Sequence, residues 1–196
     1  MPAAVDISTE EAARTDILAP LRFFYGLHSD DLRVTFVQPE EMPKTERWLL
    51  VHESDMTPRL TEHQGCPIIL DVHAKSRLGD YLVRASVLRR SDNRNSVEFG
   101  AIGIHLGGVD EETRRLILEG QVPFGGVLAM KKVPHSSHPS GYFRIVIDHR
   151  LANLLGGWEG QTLYGRCNEL RHEDGTPLAE VVEVLPDYSQ ETGGLG

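Results

Sequence analysis

Residues 81–106 read YLVRASVLRRSDNRNSVEFGAIGIHL. Tyr81 to Leu88 carries the alternation of a strand, Ser91-Asp92-Asn93 is a polar turn, and Val97 to Leu106 returns. This pattern predicts an antiparallel hairpin with a longer loop. A second hairpin is predicted from Thr162–Leu170, the turn Glu173-Asp174-Gly175, and Leu178–Leu185. Shorter β-type runs stand at Leu32–Val37, Trp48–His52, Pro67–Val72, Val127–Lys132 and Tyr142–Ile147.

Helix signals are fewer. Ser8 precedes Glu11 at capping-box spacing, Ile17, Leu18, Leu21 and Phe24 recur at helical intervals, and Gly26 ends the run. Thr57 as N-cap and Pro58 as first helical residue predict a helix through Leu60 that stops near Gly65. Asp110 caps a third helix that holds Leu116–Leu118 and ends at Gly120. Pro123-Phe124-Gly125-Gly126 reads as a turn. Strands outnumber helices and do not alternate with them, which argues against a doubly wound parallel sheet. The expectation is an α+β fold: a single antiparallel β-sheet with helices packed on one face. It forms one domain over residues 1–196, with a loose tail from Asp187.

The chain has 196 residues, 40% of them apolar, enough for a buried core. Lys and Arg number 20 and Asp and Glu 29, a net charge of −9. Such a surface is a poor bulk partner for nucleic acid or an anionic membrane, but a few well-placed arginines could hold a small anion. Cys66 and Cys167 are far apart and form no CxxC, so neither a zinc site nor a disulfide framework is expected. There is no apolar run of membrane-spanning length and no basic start of a signal peptide. A cytoplasmic location is therefore expected.

Four segments, in order, resemble the chorismate pyruvate-lyase family. They are SDMTPRLTEHQG (Ser54–Gly65), YLVRASVL with its return VEFGAIGIHL, ILEGQVPFGGVL (Ile117–Leu128), and TLYGRCNELRHEDGTPLAEVVEVLP (Thr162–Pro186). The resemblance implies an antiparallel sheet with flanking helices. It also implies a cofactor-free carbon–oxygen lyase that removes pyruvate from chorismate and leaves 4-hydroxybenzoate. The same fold serves the effector-binding domains of GntR-type regulators, so a non-catalytic binder of aromatic carboxylates is the alternative. The regulator form itself is not expected, since only about fifty residues precede the first motif and they lack a basic recognition helix.

By the same resemblance, Arg84 is the carboxylate clamp and Glu183 the acid or base. The backbone at Phe124 and Gly125 meets the carboxylate. Arg84 lies within an apolar strand, and a guanidinium suits a carboxylate bidentately. Glu183, in VVEVLP, would have its proton affinity raised by apolar neighbours. Glu180, three residues earlier, should face the other side of the strand. Arg166 is a further substrate-binding candidate. The family's return-strand arginine is missing: Gly100 and Ala101 stand near its place. Arg144, Arg166 and His105 are the candidate replacements. Asp55, Met56 and Thr57 match a family motif but read as helix cap and packing. His135 and His138 form an HxxH between prolines, read as a loop rather than a metal site.

Overall fold

The computed structural model describes residues 16–26, 28 and 32–189. Seven strands form one antiparallel sheet: β1 (Arg33–Val37), β2 (Ile68–Leu78), β3 (Tyr81–Arg90), β4 (Ser96–His105), β5 (Ser136–Val146), β6 (Thr162–Arg171) and β7 (Pro177–Val184). Their order is β1-β5-β6-β7-β4-β3-β2, and every pairing is antiparallel. Both predicted hairpins are present, as β3–β4 and β6–β7. The chain crosses between them, so β7 lies beside β4 at the centre of the sheet.

Six α-helices accompany the strands among the described residues: α1 (Ala19–Tyr25), α2 (Lys44–Leu50), α3 (Met56–Gln64), α4 (Glu111–Glu119), α5 (Phe124–Lys131) and α6 (His149–Leu155). The α+β class and the single antiparallel sheet match the sequence reading. Four helices, α2 to α5, share one face as expected. They cover Leu82, Leu88, Ile102, Ile104 and Leu170. The other two, α1 and α6, cover the opposite face over Ala85, Val87, Phe99, Ala101, Val182 and Val184. Side chains on a strand alternate between faces. That alternation is why β4 can be apolar almost throughout and still serve two cores.

Local chemistry explains the helix ends. Asp110 accepts from the Thr113 N–H and hydroxyl at the start of α4, and Gly120 ends it in the left-handed region at φ 65°. Asp148 accepts from the Arg150 and Leu151 N–H groups at the start of α6. At α3 the N-cap is Asp55 rather than Thr57, and its side chain makes no cap bond. Pro58 is then the third helical residue, still within the first turn, whose N–H groups have no helical acceptor.

Three short segments depart from the sequence reading. Trp48–His52 belongs largely to α2, where Leu49 and Leu50 are fully buried. Phe124–Gly126 begins α5, and Val127–Lys131 continues that helix, capped by Lys132, instead of Val127–Lys132 forming a strand. Short apolar runs do not reveal their period, so packing decided between helix and strand. The PHSSHPSG stretch enters β5, with Pro139 at a register shift that needs no ladder bond from it. The Ser8–Glu11 capping box lies outside the described residues. Tyr188, expected in a loose tail, is buried, and its hydroxyl donates to the Val97 carbonyl.

Candidate functional site

Alternation and register assemble the site on the four-helix face of the sheet. Arg84 on β3 pairs with Ile102 on β4, which pairs with Val181 on β7, which pairs with Asn168 on β6. The next row along the strands is Ser86, Gly100, Glu183 and Arg166. The third begins Leu88 and Glu98. Below α3 and α5 these rows floor a cavity of about 70 Å³. Its walls are apolar at Leu70, Leu88, Ile102, Phe124, Leu170 and Val181. Its polar lining includes Arg84, Glu98, Asn168 and Glu183.

Arg84 is 3% exposed, and its Nε and Nη1 are buried without a hydrogen-bond partner. Burial lowers its pKa to about 10, so the guanidinium remains charged at neutral pH. A buried cation with unused donors is costly unless something pairs with it. Phe124 and Gly125, the first two residues of α5, reach the same cavity. The first N–H groups of a helix have no helical acceptor and favour an anion. Both Arg84 and this helix start thus favour an anion, although Gly125 also stands beside the Asp55 carboxylate.

Glu183 and Arg166 face one another across β7 and β6. Arg166 is fully buried, and its Nε donates to Glu183 Oε2. Its Nη1 donates to the Leu50 and His52 carbonyls at 3.1 and 3.0 Å. Arg166 is thus a strut tying the α2–α3 connection to the sheet, and it is not among the cavity-lining residues. His52 lies 3.3 Å from Nη1; burial, then the Arg166 charge, lowers its pKa to about 4.

The other expected groups lie elsewhere. Glu180 faces away, as strand alternation requires, and is held by His105 at 2.8 Å and the Tyr81 hydroxyl at 3.2 Å. Arg144 is exposed on β5. Arg144, Arg166 and His105 therefore do not supply the missing second cation in the cavity. His135 and His138 do not act together. The His135 ring meets Asp55 at 3.0 Å and the Val133 carbonyl, while His138 meets the Ser136 hydroxyl. The Asp55 contact raises the His135 pKa. Asp55 and Met56 line the cavity in addition to starting α3.

Sequence reading missed Glu98. It is 4% exposed, and its Oε2 has no partner. Burial, then the Glu183 carboxylate, raises its pKa well above the ordinary carboxylate range, against a smaller opposing pull from Arg166. The signal was available: Glu98 sits between Val97 and Phe99 and shares the parity of Gly100 and Ile102.

No protein-family model matches the chain, and no curated protein sequence is similar to it. Solved structures are similar in fold. PhnF from Mycobacterium smegmatis matches at TM-score 0.55 and 12% identity, over 69% of this chain and 65% of PhnF. The effector domain of PhnF matches at 0.53 and 12% identity, over 69% of this chain and 90% of that domain. The ligand-binding domain of a GntR-family regulator from Bordetella bronchiseptica is more distant, at 0.45 and 12% identity, over 62% and 86%. The chain thus has a fold similar to that of the effector domain of PhnF. The expectation of a carbon–oxygen lyase is corrected. The fold is shared with an effector domain, that of PhnF, and the carboxylate cast as acid or base is ion-paired to a structural arginine. Among the described residues, no helix is long and apolar enough to cross a membrane.

Proposed function

We infer that this chain is a ligand-binding domain that holds a small aromatic carboxylate without turning it over. One observation carries this reading: Arg84 is buried against a cavity with two of its nitrogens unpartnered. A carboxylate in the cavity would accept from one of these donors and offset the buried charge. The α5 N-terminus also borders this cavity, and the aliphatic walls with Phe124 suit an aromatic ring.

The test is calorimetric titration of the full chain with benzoate and 4-hydroxybenzoate, repeated with Arg84→Met. Binding to the wild type and loss of at least about 30-fold in the variant are expected, because a buried ligand charge would be left unpaired. Equal affinity in the variant would remove Arg84 from the site.

A further inference from the structure

Three carboxyl groups line the cavity. Asp55 is held by His135 and Glu183 by Arg166. Glu98 alone among the three has a buried oxygen without a partner. It lies four residues along β3 from the Arg84 row, since Leu88 is its cross-strand partner and Ile102 that of Arg84. That is about 13 Å along the backbone, narrowed by the reach of both side chains. The cavity therefore has an unsatisfied cation towards one end and an unsatisfied carboxyl group towards the other.

We propose that Glu98 determines the specificity of this site. It donates a hydrogen bond to a neutral oxygen acceptor on the ligand, at the end opposite the Arg84-bound carboxylate. The site accordingly takes monoanions with such an acceptor and rejects dianions. This rests on the carboxylate-binding reading above and adds the chemistry of the far end.

Charge accounting supports it. The groups near Glu98 are Glu183 on β7 and Arg166 on β6, with the His52 ring beside Arg166. Arg84 on β3 and Asp55 at the start of α3 complete the charged groups of the cavity. Arg166 is one cation beside two carboxyl groups. Its Nε bond is committed to Glu183, and other N–H groups are committed to the Leu50 and His52 carbonyls. Glu98 has no cation of its own, so it retains its proton, as two close carboxyls sharing one site do. A protonated carboxyl is a donor, and a neutral carbonyl or ether oxygen satisfies it. A second ligand carboxylate would instead meet Glu183 and a desolvated pocket. Gly100 leaves room between these groups, where the resemblance would have placed an arginine.

The experiment titrates the full chain with benzoate, 4-formylbenzoate and terephthalate. Infrared spectra at pH 7 report the protonated carboxyl without any ligand. In the wild type, 4-formylbenzoate should bind about tenfold more tightly than benzoate, the value of one well-made hydrogen bond, and terephthalate more weakly than either. Glu98→Gln, which keeps a donor, should retain the formyl preference. Glu98→Leu should lose it, read as the ratio of 4-formylbenzoate to benzoate affinity in the variant. The infrared band of a protonated carboxyl should be present in the wild type and reduced in Glu98→Gln. A missing band, an unchanged formyl preference in Glu98→Leu, or terephthalate binding as tightly as 4-formylbenzoate would overturn the proposal. If benzoate binds through Arg84 but the formyl group brings no gain, the role of Glu98 alone fails. If none of the three binds, the carboxylate reading fails and the role of Glu98 falls with it.

Discussion

Arg166 and Glu183 are Cα partners across β6 and β7, and the guanidinium Nε of one donates to the carboxylate of the other beneath the α2–α3 connection. This pair satisfies Glu183, which the sequence reading cast as acid or base, and Arg166, its further substrate-binding candidate. It leaves Arg84 and Glu98 as the cavity's unsatisfied groups.

Arg166→Met should destabilise the protein by about 3–5 kcal/mol, because it strands a buried carboxylate and unties the Leu50 and His52 carbonyls. Chemical denaturation measures this directly. A loss below about 1 kcal/mol would mean that the connection is held by its apolar contacts alone.

Arg84→Met should act in the opposite sense on the ligand-free protein. Replacing an unpaired buried guanidinium with an apolar side chain of similar length should raise stability by about 1–3 kcal/mol. The same change should abolish carboxylate binding. A lower melting temperature in the variant would show that Arg84 has a packing role beyond the cavity.

His52 gives the protein an acid-sensitive limb. Its pKa is lowered to about 4 in the fold, against an ordinary value of 6.5. Between those values the unfolded chain takes up a proton that the folded one does not, so stability falls as pH drops from 6.5 to 4. The His52 share is at most about 1.4 kcal/mol per pH unit, and its partial exposure reduces that. His52→Gln should flatten this limb in denaturation curves taken across the window. An unchanged slope would assign the acid sensitivity to other groups.

Gly100→Val should close the cavity without breaking the strand, since valine favours β structure. A Cβ at this position would already lie 3.1 Å from Glu98 Oε1. Ligand affinity should fall by more than about tenfold while the circular dichroism spectrum is retained. Unchanged affinity would place the ligand away from the Gly100 row.

The sequence by itself determined the strands of both central hairpins, the Asp110–Gly120 helix and the side of the sheet on which Arg84 and Glu183 lie. Those features depend on alternation, caps and turn residues, which act over a few positions and can be read locally. Tertiary structure decided what periodicity leaves ambiguous. The buried run at Leu49–Leu50 became helical, and Phe124–Lys131 became a helix over Ile102 and Leu170. It also decided partnership. Nothing in VVEVLP or LYGRC tells that Glu183 and Arg166 neutralise each other, because that pairing depends on β7 crossing to lie between β4 and β6. The same crossing brings Glu98 beside an already satisfied ion pair and leaves Arg84 without one. Charge pairing is set by distance in the folded chain, and for these four residues only the sheet order supplies it.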